Sequence, residues 1–153
     1  RDALIQDFSL RDNVALLGAS TRRGVMSWAA IGRQTRELIR DYDVRAADEL
    51  TRASSLSGGN QQKLVVGREI EGSQTALVAE NPSRGLDVQA TAAVHARILA
   101  ARDAGMAVVI YSSDLDEVLA LAERVVVVHA GKVTEPPREY ESIGRAMLGL
   151  PVS

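Results

Sequence analysis

Eight residues, Leu56 to Lys63 (LSGGNQQK), constrain this chain more than any other stretch. Two adjacent glycines behind a serine lead straight into a helix-compatible run. A helix N-terminus offers free backbone N–H groups and the positive end of a macrodipole. Ser57 adds a hydroxyl, and Gly58 and Gly59 let an anion reach the backbone without a Cβ in the way. The pair of glycines alone favours a turn capping an ordinary helix over a phosphate clamp.

The 153 residues can bury a core of their own, and 46% hydrophobic with 25% charged residues describes a globular domain. A formal charge of −2 gives no basis for a nucleic-acid partner. There is no cysteine, which excludes disulfides, thiolate metal sites and a cysteine nucleophile. The apolar run from Ala104 to Tyr111 is far too short to span a bilayer. If the protein works at a membrane, another chain makes the crossing. The start at Arg1, without a signal-peptide pattern, points to a piece of something longer.

Taken in order, Leu4, Ile5, Phe8 and Leu10 anchor a short segment, Asp12-Asn13 reads as a turn or cap, and 19–26 reads as a loop. Ser27 is placed to N-cap a helix to Arg40, with Trp28, Ile31, Thr35, Leu38 and Ile39 on one face and Arg33, Arg36 and Arg40 on the other. Residues 41–55 read as a connector. A helix after Gly59 stops near Gly72, and Thr75–Ala79 is a candidate buried strand. An alanine-rich helix over 88–104 carries Ala90, Val94, Ile98 and Ala101 on one stripe and ends at Gly105. Ala107–Tyr111 and Val125–Val128 are further apolar strands, separated by a short helix over 114–122. Gly131 turns the chain into Lys132-Val133-Thr134, and a last helix follows Pro136-Pro137 around Tyr140–Leu148. Strands alternating with helices predict a parallel sheet covered on both faces.

Two further stretches carry chemistry. In ALVAENPSRGLD (76–87) an apolar strand ends in a carboxylate, the place where Mg²⁺ can sit beside nucleotide phosphates. Asp87 also suits the N-cap of the next helix. VIYSSDLDE (109–117) carries Ser112-Ser113 at the end of a second strand. His95 and His129 lack metal-ligand spacing, and Ser20, Ser54 and Ser55 lack a nucleophile-elbow context. Gly67 and Gly72 have the glycine spacing of a P-loop but are followed by Ser73-Gln74 and lie at a helix end. Gly18 and Gly24 are one residue too far apart. The chain therefore contains no Walker A motif.

Together the three stretches resemble the signature, Walker B with D-loop, and H-loop segments of ABC-type ATPases, with GNQQK in the style of sugar and nucleoside importers. The resemblance covers Arg1 to about Val133 and is closest to the second, degenerate nucleotide-binding domain of such importers. It implies an α/β fold, namely a P-loop NTPase core of ABC type with a partial parallel sheet flanked by helices and a helical signature subdomain. One partial domain is expected, divided into 1–72 (helical, signature), 73–135 (α/β core) and a tail, 136–153. Ser57, Gly58, Gly59, Asn60, Gln61 and Asp87 are then expected to bind ATP held by a partner domain, and Glu80 to hold Mg²⁺. The family pattern has aspartate then glutamate before the proline, where this chain has Glu80-Asn81, and histidine where it has Ser113. An amide cannot act as a general base, and a hydroxyl lacks an imidazolium's charge, so this half's own site is expected to be degenerate. The resemblance implies an ATPase at the cytoplasmic face of the membrane, peripheral. Its expected partners are a second nucleotide-binding domain, a permease and, indirectly, a solute-binding protein. A non-catalytic regulatory half, or a soluble ABC protein uncoupled from transport, are the alternatives. Without the strand that carries Walker A, the sheet is expected to keep a gap or an exposed edge, and the 153 residues alone to be marginally stable and to bind ATP weakly.

Overall fold

The computed structural model describes residues 3–19, 23–72 and 75–151. Ser20 and the Ser73-Gln74 pair lie outside the described residues. Two compact units are formed, Arg1–Val109 and Ile110–Ser153.

In the first unit, α1 (Leu10–Ala15) is capped by Ser9, whose hydroxyl accepts from Asp12 N. Asp12 and Asn13 thus lie within a helix rather than forming the expected turn or cap. Asn13 is fully buried, and its side chain does the work of a turn at a distance. Its Oδ1 accepts from Ile5 N at 2.8 Å, and its Nδ2 donates to the Ile5 and Ser9 carbonyls at 3.0 Å. A short polar side chain that satisfies a loop's backbone is favourable when buried because all of its own groups are paired.

Ser27 caps α2 (Trp28–Asp41) as expected, and Ile31, Thr35 and Leu38 point inward. Trp28, at the first position, is half exposed, with the Arg11 guanidinium 4.7 Å over its ring. On the opposite face Arg36 pairs with Glu49. The connector over 41–55 is more ordered than its composition suggests. Ser9 bridges Arg52, and Ala53–Ser55 forms a 3₁₀ turn. The signature helix α3 (Gly58–Gly72) follows. Leu4, Leu10, Val14, Ile31, Leu38 and Leu64 form the shared core of these elements. Tyr42 packs flat against Gly67: a Cβ there would lie 2.8 Å from the ring, so only glycine lets the two segments approach this closely.

β1 (Ala76–Glu80) leads through the turn 81–87 into α4 (Val88–Asp103), which Asp87 caps, and then to β2 (Ala107–Tyr111). The crossover through α4 makes the β1–β2 pair parallel. Ala90, Val94 and Ile98 are the buried stripe of α4, and Gly105 takes the left-handed conformation at its end.

The expected sheet needs correction in two respects. It contains two strands among the described residues, and it is not covered on both faces, since Val78, Val109 and Tyr111 are all well exposed. The third apolar segment does not join it. β3 (Val127–His129) pairs antiparallel with β4 (Lys132–Thr134), Val127 opposite Thr134 and His129 opposite Lys132. Ala130 and Gly131 both have positive φ, the geometry of a two-residue hairpin turn, and closing so short a loop costs little entropy. The separation of this hairpin from β1 and β2 agrees with the gap expected without the strand that carries Walker A.

In the second unit, α5 (Leu115–Leu121) is capped by Asp114, and α6 (Tyr140–Met147) lays Ile143 and Ala146 against Val125 and Val127. Arg124 binds both carboxylate oxygens of Glu135 at 2.8 Å, tying the two ends of the hairpin and holding the Glu135 carboxyl below its ordinary range. No helix among the described residues is long and apolar enough to cross a membrane.

Candidate functional site: the signature helix and its groove

Ser57 stands in N-cap position, and α3 begins with both glycines inside its first turn. The first intrahelical bond runs from Gln61 N to Ser57 O at 2.9 Å. The N–H groups of Gly58 and Gly59 precede it and so have no intrahelical acceptor. A Cβ at Gly58 would meet nothing within 4 Å. Its φ is not left-handed either. Among the described residues no packing contact requires glycine there. At Gly59 a Cβ would make ordinary contact with Leu86 and the Gly85 carbonyl.

Of the expected ATP-binding residues, Ser57, Gly58 and Gly59 are presented together at the helix tip. Asn60 and Gln61 are brought to the same turn, but their side chains serve the scaffold. Asn60 Oδ1 accepts from Arg45 N at 2.9 Å, and its Nδ2 donates to Ser57 Oγ at 2.9 Å. Gln61 Nε2 donates to the Ala53 and Leu56 carbonyls at 3.0 and 3.2 Å, and its amide pairs with that of Gln6. The next glutamine reaches the neighbouring turn: Gln62 Nε2 donates to Pro82 O at 2.8 Å. Gln6 and Arg45 were invisible as site residues in the sequence, because each acts through a contact distant along the chain.

Beside the helix tip lies a groove of about 620 Å³, lined by Ser57, Asn60, Lys63, Leu86, Asp87 and Arg97 among others. The N-termini of α3 and α4 both open into it. Asp87 caps α4 by accepting from Ala90 N at 2.8 Å. Lys63 is tied to Asp43 at 3.1 Å. Arg97 donates to the Asp41 carbonyl and stacks 5.0 Å over Tyr42. Burial first, and then the nearby Glu71 carboxylate, push the Tyr42 phenol up to about 12.

Glu80 ends β1 exposed. A single carboxylate fits Mg²⁺ in the way that ion usually binds, completing its shell with phosphates and water. Among the described residues no cluster of three acidic or histidine groups forms a dedicated cage. Asn81 follows with φ +46°, a left-handed conformation that asparagine tolerates better than glutamate. Ser113 is exposed after β2. Its neighbour Ser112 donates to the buried Glu117 at 2.6 Å and accepts from Asp114 N.

The fold is that of part of an ABC ATP-binding cassette. The chain is similar to the dimeric ATP-binding cassette MJ0796 in a post-hydrolysis state bound to ADP and Pi, with TM-score 0.73 and 20% identity, over 86% of this chain and 58% of that one. In sequence it is 40% identical over 137 residues to the nucleoside import ATP-binding protein NupA of Lactococcus lactis subsp. cremoris. It is 39% identical over 137 residues to the guanosine import ATP-binding protein NupO of Bacillus subtilis. Both matches cover 87% of this chain and 27% of the relative. A glucose import ATP-binding protein of Haloferax volcanii is 42% identical over 118 residues, 73% of this chain and 22% of that protein. No protein-family profile matches the chain. The relatives it matches are ATP-binding proteins for nucleoside, guanosine and glucose import, and the chain spans about a quarter of their length.

Proposed function

We propose that this chain is the part of an importer's ATP-binding subunit that completes a partner domain's ATP site. In this reading ATP is first held by the partner nucleotide-binding domain, within the same polypeptide. Ser57 and the Gly58 and Gly59 N–H groups then close on its γ-phosphate. Closure drives a permease for nucleosides or simple sugars, supplied by a solute-binding protein, and the chain sits peripherally at the cytoplasmic face. The observation that carries this is Gly58, a glycine at an exposed helix tip where a Cβ would meet none of the described residues within 4 Å.

Glu80 would hold Mg²⁺ at this half's own site, and Asn81 and Ser113 would leave that site poor in hydrolysis. Asn81 can orient a water through its amide but cannot take its proton. Asn60 and Gln61 act on the backbone that carries Ser57, and Asp87 fixes the start of α4 beside it. The division into a signature subdomain over 1–72, an α/β core over 73–135 and a tail belongs to the same reading.

The test is ATP turnover by the full-length subunit with its permease. Ser57→Arg should lower kcat by two or more orders of magnitude, since a bulky side chain blocks closure and removes a hydrogen bond to a charged group. Turnover within twofold of the wild type would sink the cross-interface assignment. A carboxylate placed at Asn81 should change turnover far less.

A further inference from the structure

The donors and acceptors around Ser57 can be assigned without ambiguity. The backbone N–H of Arg45 can only donate, so the side-chain atom of Asn60 facing it at 2.9 Å is the oxygen. The other terminal atom of Asn60 is therefore the NH₂ group, which can also only donate. It faces Ser57 Oγ at 2.9 Å. The backbone N–H of Asn60 points at the same oxygen from 3.4 Å. Ser57 Oγ thus accepts from two groups, neither of which can receive its proton. Neither contact uses the hydroxyl hydrogen, which is left for an acceptor outside this pair at the exposed helix tip.

We infer that Asn60 is a positioning residue which, anchored by Arg45 N, fixes the Ser57 hydroxyl as a hydrogen-bond donor toward the phosphate of the partner's ATP. The inference rests on the cross-interface reading above and adds a direction to it. A serine hydroxyl free to rotate spends part of its time as an acceptor toward solvent. Here that choice is removed before the ligand arrives, and preorganised donors need no reorganisation at the moment charge develops. Two linked contacts, Arg45 N to Asn60 and Asn60 to Ser57, thus set the polarity of the clamp.

The experiment is a double-mutant cycle on ATP turnover by the full-length subunit with its permease. Asn60→Asp is nearly isosteric. One carboxylate oxygen still accepts from Arg45 N, but the other now accepts the Ser57 O–H, so the hydroxyl turns inward. An acidic residue in the first turn suits the helix dipole, so the melting temperature should hold or rise. Ser57→Ala and Asn60→Asp should each lower kcat about 10- to 100-fold, the range for one hydrogen bond to a charged group. KM should move less than about threefold, because ATP is first held by the partner domain. Asn60→Ala frees the hydroxyl to rotate without adding charge and should cost less than Asn60→Asp. The Asp charge acts with or without Ser57, so the deciding quantity is the coupling. The double variant should be at least about tenfold more active than the product of the single losses predicts. If the two losses multiply, Asn60 does not act through Ser57 and the inference fails while the cross-interface reading stands. If Ser57→Ala alone leaves turnover intact, that reading fails first.

Discussion

Gly67→Ala puts a methyl group where there is no room for one. The new Cβ would lie 2.8, 2.9 and 3.0 Å from Cδ2, Cγ and Cε2 of Tyr42. Carbon pairs prefer roughly 3.5–4.0 Å, so the ring would have to withdraw by more than about half an ångström. It is held from several directions. Tyr42 is buried, its hydroxyl donates to Glu71 at 3.3 Å, and Arg97 stacks on its ring. Overpacking a site of this kind costs about 1–3 kcal/mol, and the better helix propensity of alanine returns about 1 kcal/mol. Gly58→Ala, nine positions earlier on the same helix, meets nothing within 4 Å and should be neutral or slightly stabilising. The two substitutions should therefore differ by about 1–3 kcal/mol. That is about 1 M in urea midpoint, at an m-value of about 2 kcal/mol/M. Far-UV circular dichroism in urea measures this directly. Equal midpoints, or a more stable Gly67→Ala, would refute the packing argument. A Tyr42→Leu background in which Gly67→Ala keeps its full cost would refute the identity of the clashing group.

Three other outcomes follow from the same geometry. Asn13→Ala strips three hydrogen bonds from a fully buried position and leaves Ile5 N unsatisfied, so stability should fall by about 2–4 kcal/mol in chemical denaturation. Tyr42 keeps its proton more tightly when folded, so its contribution is complete below pH 10 and is lost as pH rises toward about 12. Tyr42→Phe should remove that part of the decline, and parallel stability curves for the two proteins between pH 9 and 12 would contradict the assignment. Asn81→Gly should be tolerated in thermal melts, whereas Asn81→Glu should cost about 1 kcal/mol for a left-handed residue with a longer side chain, and should not restore hydrolysis.

Local signals were legible in the sequence wherever one residue and its near neighbours decide the outcome. Ser27 and Asp87 cap the helices that follow them, and Gly105 and Gly131 end or turn elements as their conformational freedom predicts. Asp12-Asn13 misled because the same side-chain chemistry serves a turn and a buried bracket. Only the fold decides that Asn13 reaches back to Ile5. The sheet misled because apolar content marks a strand without naming its neighbour. β3 pairs with β4 across the turn at 130–131, and Val78 and Val109 stand exposed although their sequence reads as interior. Within the site, the motif located the clamp, but not the division of labour within it. Asn60 and Gln61 look like ligand groups in a linear motif, and their partners, Arg45, Ala53 and Gln6, appear only when the connector folds back.

The central claim is that the helix tip at Ser57 meets an ATP held by a different domain. Cross-linking of a Ser57→Cys variant to ATP carrying a thiol-reactive group on its γ-phosphate tests it most directly. The full-length subunit should be labelled at position 57, with excess ATP as competitor abolishing the label, and the 153 residues alone should not be labelled under the same conditions. Equal labelling of the chain alone, or none in the full-length subunit, would contradict the account.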